Sequence, residues 1–152
     1  MIYTDKTKRA IKLCFKAHEG QVDKSGLPYA HHPLHLAEQM DDEDSTVVAL
    51  LHDVVEDTEY TLNDIKTMRF GDNVIRALEL LTHDEAVSYM DYIGKVVADP
   101  LATKVKLADL EHNSDLSRLN GEPTEKDLER VEKYKEAKRI LANEQRQRSS
   151  TM

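Results

Sequence analysis

The chain has 152 residues and a formal net charge of −8, with 33% charged and 5% aromatic residues. This length allows one domain with a buried core but is short for two, and the composition is that of an acidic globular protein. An acidic surface repels phosphate backbones, which argues against general binding of DNA or RNA. A small anionic substrate stays compatible with this charge where a local cation, such as a metal ion, offsets the repulsion.

The chain has a single cysteine, Cys14, so it cannot form an internal disulfide. This fits a reducing cytoplasm, and we expect Cys14 to fill space in the core. The first ten residues, MIYTDKTKRA, lack the apolar run of a secretory signal, and no stretch approaches the roughly 20 apolar residues that span a bilayer. We therefore expect a cytoplasmic protein that does not bind a membrane. The sequence is compatible with a homo-oligomer.

Helical periodicity dominates the first half of the chain, and no alternating run bounded by turns indicates a β-strand. Thr4 can cap a first helix that carries Cys14 and Phe15 on its apolar face. The stretch EGQVDKSGLPYAHHP has the composition of a turn-rich loop, after which Pro33 suits the first turn of a second helix. Beyond the acidic linker DDEDS, a third helix is predicted to continue through LLHDVVED to about Asp57.

The second half of the chain also has the pattern of successive helices. Thr61 and Asp64 form the pattern of a capping box. A long last helix is expected to have an apolar face made of Leu128, Val131, Tyr134, Ile140 and Leu141. We find no internal repeat and no low-complexity segment. The predicted fold class is therefore all-α, a single-domain helical bundle over residues 1–145 with a flexible tail over residues 146–152.

Four residues that can bind a metal stand among apolar neighbours. His52 and Asp53 interrupt the apolar positions of LLHDVVED, His32 precedes a proline, and Asp109 lies in VKLADL. A buried lone carboxylate is costly unless it is paired or ligates a cation. Two imidazoles and two carboxylates suit Mn, Fe or Zn better than Ca or an all-oxygen Mg site. Taken singly, each residue also has an ordinary interpretation, such as a salt bridge between Asp109 and a lysine of KVKLAD.

Two further carboxylates, Glu56 and Asp57, follow one helical turn after His52 and Asp53. Their side chains are therefore expected to face roughly the same way. Carboxylates close to a water that a metal activates can take its proton, orient it or protonate a leaving group. We predict that Glu56 and Asp57 form the catalytic pair, with a solvated helix end as the alternative.

The spacing H-x(19)-HD-x(55)-D is similar to that of the HD superfamily of metal-dependent phosphohydrolases. Three blocks, AHEGQVDKSGLPYAHHP, LLHDVVEDT and VKLADLEHN, resemble the hydrolase domain of the RelA/SpoT proteins and the small alarmone hydrolases. The resemblance covers about residues 8–117. It implies a helical bundle of the HD type that binds one Mn(II) ion and removes the 3′-pyrophosphate from the guanosine alarmones ppGpp and pppGpp.

The resemblance also implies roles for individual residues. By position, the implied metal ligands are His32, His52, Asp53 and Asp109. The pair that handles the attacking water is Glu56 and Asp57. The substrate, a small anionic nucleotide, would contact Lys24, Ser25 and Asn113.

Three positions depart from the family pattern in the part that reads the base: Asp23, Leu110 and Leu116. A guanidinium can stack on a purine and pair with phosphate, whereas an aspartate can do neither. The substrate therefore stays open between a guanosine alarmone and a 5′-nucleotide or other phosphomonoester. A third alternative is a non-catalytic domain that keeps the metal as a structural staple and senses a nucleotide.

Overall fold

The computed structural model describes residues 1–151 of the chain. Within that range the regular structure is entirely helical, apart from a single β-bridge between Val22 and Pro28. The helices are α1 (Asp5–Ala17), α2 (His31–Glu38), α3 (Glu43–Leu51), α4 (Val54–Asp57), α5 (Leu62–Thr67), α6 (Asp72–Leu81), α7 (Tyr89–Val96), α8 (Pro100–Asn113) and α9 (Glu125–Thr151), with a 3-10 turn at Leu116–Arg118 before α9. The predicted all-α fold is confirmed.

Short-range signals in the sequence set several helix starts. The hydroxyl of Thr4 accepts the backbone N–H of Thr7 and caps α1. Thr61 and Asp64 form the reciprocal capping box that was predicted, with each side chain accepting the backbone N–H of the other at 2.9 and 3.1 Å. Such caps satisfy N–H groups that have no partner inside the helix.

The predicted third helix is broken at the His52–Asp53 pair, which separates α3 from α4. The imidazole Nδ1 of His52 lies 2.7 Å from the carbonyl oxygen of Ala49. In a continuous helix that carbonyl would accept the N–H of Asp53, so the side chain competes with the backbone for it. The prediction of one helix to Asp57 was therefore wrong, and the break turns both side chains toward the same point.

Helix α3 lies at the centre of the bundle and packs against α1, α2, α6 and α8. Its residues 45–51 are all buried, including Ser45 and Thr46. A helix that is apolar on all sides can be stable only when other helices surround it. This central position places the HD pair, which directly follows α3, inside the protein rather than on its surface.

Two of the predicted apolar faces turn out differently. Cys14 is completely buried as expected, whereas Phe15 on the same helix is 49% exposed. Leu128, predicted on the apolar face of the last helix, is also 49% exposed, whereas Leu141 on the same predicted face is completely buried, as is Ala137. Phe15 lies about 100° from Cys14 around α1, and Leu128 lies about half a turn from Ala137 around α9, so both point away from the buried face of their helix.

The last helix continues past residue 145, where the flexible tail was expected to begin. Helix α9 extends to Thr151, and the guanidinium of Arg148 donates to the carbonyl oxygen of Val97. Met152 lies outside the described residues. No helix within residues 1–151 combines the length and the apolar composition that crossing a bilayer requires.

Candidate active site

The structure brings the four predicted metal ligands together from distant parts of the chain. The Nε2 atom of His32 lies 2.9 Å from Asp109 Oδ1 and 3.8 Å from Asp53 Oδ2. The Nε2 atom of His52 lies 3.0 Å from Asp53 Oδ2 and 3.5 Å from Asp109 Oδ1. One donor atom from each of His32, His52 and Asp109 lies within 4.8 Å of the other two. We call these four residues the ligand cluster.

The hydrogen bonding of His52 fits a metal ligand. A carbonyl oxygen only accepts, so the Nδ1 atom that contacts Ala49 carries a proton, and Nε2 of the neutral ring has a free electron pair. That Nε2 is buried and has no hydrogen-bond partner among the described residues. It faces the carboxylates of Asp53 and Asp109, which also offer electron pairs. Donors that converge in this way fit a divalent cation.

The electrostatics of the cluster also favour a cation. Burial opposes the charged form of His52, but the carboxylates of Asp53 and Asp109 outweigh it and raise the pKa of the imidazole well above its usual value. Burial likewise opposes the charge of Asp53, but His52 and His32 hold the pKa of that carboxyl below its usual value. The ionised carboxylates thus attract positive charge to one point.

Asp109 divides its two oxygens between the ligand cluster and a lysine. Its Oδ2 accepts from Lys106 Nζ at 2.7 Å, and its Oδ1 accepts from Asn113 Nδ2 at 3.0 Å. Burial opposes the Asp109 charge, but Lys106 and the two histidines hold the pKa of this carboxyl well below its usual value. Lys106 and Asn113 lie three and four residues from Asp109 on α8 and therefore share its face.

Glu56 and Asp57 form a second acidic group beside the cluster. Carboxylate oxygens of Asp53, Glu56 and Asp57 lie within 4.8 Å of one another. Glu56 accepts the backbone N–H of His83 at 2.6 Å, and Asp57 lies 3.2 Å from the Tyr29 hydroxyl. Burial raises the pKa of both Glu56 and Asp57, and the nearby Asp53 carboxylate adds to the effect.

Two cavities of about 370 Å³ each open onto this region. The first, cavity 1, lies between the loop at residues 21–29, the 3-10 turn and α9. Its cationic residues are Lys24, Arg118 and Arg130. Arg118 faces Asp23 and Arg130 faces Asp127, while Lys24 forms no ion pair with any residue that the structure describes.

Cavity 2 lies against the ligand cluster and the second acidic group, with Asp53, Glu56, Asp57 and Asp109 in its wall. Two lysines contribute positive charge opposite these acids. Lys106 lies 5.3 Å from the ring centroid of Tyr92, and Lys133 lies 4.5 Å from that of Tyr89. The two cavities share Tyr29, Asn113 and Tyr134 as a common wall.

The predicted substrate-binding residues lie in these walls. Lys24 and Ser25 line cavity 1, and Asn113 lines both cavities. Of the departures from the family pattern, Asp23 and Leu116 also line cavity 1. Leu110 does not, since it is buried in the apolar core.

Several residues that contact the cluster or line its cavities were not among the predicted site residues. The hydroxyl of Tyr29, a residue of the turn-rich loop, donates to Asp53 Oδ2 at 2.6 Å. The Nδ1 atoms of His112 and His32 lie 2.7 Å apart. Helix α9, which carries no motif, contributes Arg130 and Tyr134 to cavity 1. Their spacing of four residues places both on one helix face, and this was the only signal available for them.

Comparison with known proteins finds relatives that match most of this chain. A GTP pyrophosphokinase of Streptomyces coelicolor is 38% identical over 133 residues, which cover 78% of this chain and 16% of that protein. The guanosine-3′,5′-bis(diphosphate) 3′-pyrophosphohydrolase of Aquifex aeolicus is 34% identical over 119 residues, or 70% of this chain and 17% of that protein. The bifunctional (p)ppGpp synthase/hydrolase SpoT of Escherichia coli is 34% identical over 121 residues, with the same shares. The chain thus spans about a sixth of the length of these relatives.

One solved structure and one family model also match this chain. The structure of a metazoan ortholog of SpoT, described as hydrolysing ppGpp, matches with a TM-score of 0.71 over 97% of this chain and 98% of that one. At 23% identity this match shows the fold. The sequence model of the HD domain matches residues 10–105. The chain therefore belongs to the HD domain family.

Proposed function

We propose that this chain is a metal-dependent phosphohydrolase that acts on a phosphorylated nucleotide. The first candidate reaction is removal of the 3′-pyrophosphate from guanosine 3′,5′-bis(diphosphate). The observation that carries the proposal is the buried Nε2 of His52. It makes no hydrogen bond to a described residue, yet it lies 3.0 Å from Asp53 Oδ2 and 3.5 Å from Asp109 Oδ1 beside a second acidic pair. The names of the Aquifex and Escherichia relatives support this choice of substrate.

In this proposal His32, His52, Asp53 and Asp109 hold the cation. Mn(II) is the first choice, and Fe and Zn are the alternatives, since all three accept imidazole and carboxylate ligands. When bound, a divalent cation supplies Lewis-acid stabilisation for the charge on a phosphoryl group. Asn113 and Lys106 keep the Asp109 carboxylate oriented, because they bind its two oxygens from the same helix face.

Glu56 and Asp57 handle the proton of the attacking water in this proposal. Their pKa values are raised by burial, while those of Asp53 and Asp109 are lowered by the surrounding cations. Neighbouring carboxyls whose pKa values are pushed apart suit different roles in one reaction. The raised pair accepts and returns a proton, and the lowered pair stays ionised to hold the cation.

The two cavities suggest how a nucleotide lies across the site. The phosphoryl group to be released occupies cavity 2, where Lys106 and Lys133 offset its charge. The nucleoside occupies cavity 1, with Lys24 near its other phosphates and Ser25 in the wall. Asn113, which lines both cavities, contacts the ribose or phosphate between them.

One observation favours a second candidate function. Asp23, in the wall of cavity 1, lies 3.7 Å from Arg118 and cannot stack on a purine. A 5′-nucleotidase or another phosphomonoesterase needs less contact with the base than an alarmone hydrolase does. A non-catalytic sensor is the remaining alternative, and it would not require Glu56 and Asp57.

A screen of purified protein with Mn(II) tests the proposal directly. The substrates are ppGpp, pppGpp, 5′-nucleotides and a simple phosphomonoester, and the Glu56→Gln variant controls for contaminating phosphatases. Release of pyrophosphate from ppGpp supports the alarmone reaction, and release of orthophosphate from monoesters alone supports the second candidate. Tight metal and nucleotide binding without any product would refute catalysis and leave the sensor. The cytoplasmic location and the homo-oligomer stay predictions.

A further inference from the structure

Arg118 lies at the junction between the wall of cavity 1 and the end of α8. Its Nη1 donates to the carbonyl oxygen of His112 at 2.9 Å and lies 3.4 Å from Asn113 Oδ1. Its Nη2 lies 3.7 Å from Asp23 Oδ2, and both side chains are largely buried, at 21% and 15% exposure. One guanidinium therefore contacts both a predicted substrate-binding residue and the loop at residues 21–29.

The loop itself is held by Asp23 and by the backbone around Arg118. Asp23 Oδ1 accepts the backbone N–H groups of Ser25 and Leu27 at 2.8 and 3.0 Å. The Ser25 hydroxyl donates to the carbonyl oxygen of Arg118, and the side-chain amide of Asn120 donates to the Ser25 carbonyl oxygen at 3.1 Å. The departure at Asp23 thus has a structural role, since the carboxylate both closes the loop and faces Arg118.

Arg118 also defines the orientation of the Asn113 amide. A guanidinium only donates hydrogen bonds, so the amide oxygen of Asn113 faces Arg118. The amide nitrogen then faces Asp109, where it donates at 3.0 Å to the same Oδ1 that His32 contacts. A reversed amide would place two donors against each other on one side and two acceptors on the other.

We propose that Arg118 is a positioning residue that connects the 21–29 loop to the ligand cluster through Asn113 and Asp109. It acts on the loop through Asp23 and on the metal ligand Asp109 through the Asn113 amide. The inference rests on the proposed function only where it treats the loop as part of the substrate site. Two effects, one on the loop and one on the ligand cluster, should therefore depend on the Arg118 side chain.

Three variants separate these two connections. Asp23→Asn keeps an oxygen for the Ser25 and Leu27 N–H groups but removes the charge that faces Arg118. Arg118→Met removes both connections, and Arg118→Lys restores a charge near Asp23 without the planar fork that reaches Asn113. Arg139→Met is the matched control, because Arg139 is exposed on α9 and pairs only with Glu136 among the described residues.

The readouts are amide hydrogen exchange at residues 21–29 and the dissociation constant for Mn(II), both measured without a substrate. We expect Arg118→Met to speed hydrogen exchange in the loop about tenfold, because the loop loses a contact that stabilises it locally. The same variant should weaken Mn(II) binding about tenfold. Asp23→Asn should speed loop exchange alone, and Arg118→Lys should restore the loop more than the metal affinity. In the double variant Asp23→Asn/Arg118→Met, loop exchange should equal that of Arg118→Met, because the residues act on one connection.

Unchanged Mn(II) affinity in Arg118→Met would overturn the proposal. A double variant in which the increases in loop exchange caused by Asp23→Asn and Arg118→Met multiply would also overturn it. If Arg118→Met does not fold, Arg118→Lys with Asp23→Asn decides, since only the lysine variant should weaken Mn(II) binding. These results do not depend on turnover. A wild-type protein without hydrolase activity would refute the proposed function while leaving this connection testable.

Discussion

The imidazole rings of His32 and His112 lie 3° from parallel with their centroids 5.0 Å apart, and they meet edge to edge with their Nδ1 atoms 2.7 Å apart. At this distance one Nδ1 must donate a proton to the other. When His32 offers the electron pair of Nε2 to a cation, its proton resides on Nδ1, so His112 is the acceptor. His112 therefore selects the tautomer of His32 that a metal requires, a task that a carbonyl or carboxylate often performs elsewhere.

We expect His112→Phe to weaken Mn(II) binding about 10- to 100-fold, since it removes the acceptor that orients His32. His112→Asn should retain more affinity, because the Asn amide oxygen can take a position close to that of the imidazole Nδ1. Isothermal titration of chelator-treated protein with Mn(II) measures both. Equal affinities for the Phe variant and the wild type would show that His112 does not orient His32.

The buried pair of Lys106 and Asp109 predicts a stability effect that depends on the metal. Lys106→Met leaves Asp109 without its lysine partner, and we expect a loss of about 3 kcal/mol in metal-free protein. The loss should be smaller with saturating Mn(II), because the metal then balances the carboxylate. Urea unfolding in chelator and in Mn(II) measures the difference. A loss of equal size under both conditions would contradict the idea that the lysine and the metal act on the same charge.

The second acidic pair predicts a separation of binding from turnover. Glu56→Gln should keep Mn(II) affinity but lower kcat by about 100-fold or more, the usual range for a lost general base. Glu59→Gln, an exposed change three residues further along the chain, serves as the control. Metal content and product release are measured on the same preparations. A Glu56→Gln protein that no longer binds Mn(II) would contradict the assigned role.

Cys14 predicts part of the alkaline pH dependence of stability. Burial raises the pKa of the Cys14 thiol to about 12 from an ordinary value of 9.0, and the Asp53 carboxylate adds to the effect. Above about pH 9 the unfolded thiol ionises while the folded one stays protonated, so stability falls by up to about 1.4 kcal/mol per pH unit. Cys14→Ala should show a shallower fall in urea unfolding between about pH 9 and pH 11. Identical slopes in both proteins would contradict the shift.

Local signals allowed much of the fold to be predicted. The cap at Thr4 and the box of Thr61 and Asp64 depend on residues at most four apart, so the sequence contains everything that determines them. The break after α3 differs, because it depends on the His52 side chain taking the Ala49 carbonyl. The His52 ring also lies against Asp109 of α8, a long-range contact that no local pattern records.

The residues of the candidate site also fall into those that the sequence could predict and those that it could not. His32, His52, Asp53 and Asp109 could be predicted because ionisable groups among apolar residues are costly without a partner. The contacts that orient them could not, since His112 lies 80 residues from His32 and Tyr29 lies 24 residues from Asp53. Such pairs have no periodicity, and only the folded chain brings them into contact.

The matched HD domain ends at residue 105, before Asp109 and before every residue that α9 contributes to the cavities. The portion up to Asn113 contains all four proposed ligands, while residues 114–150 line one side of the cavity proposed to receive the nucleoside. Exchanging that terminal portion between relatives is a rational route to new substrates, because it leaves the reaction chemistry in place. A fragment that ends at residue 105 would lack both Asp109 and the residues that α9 contributes to the cavities.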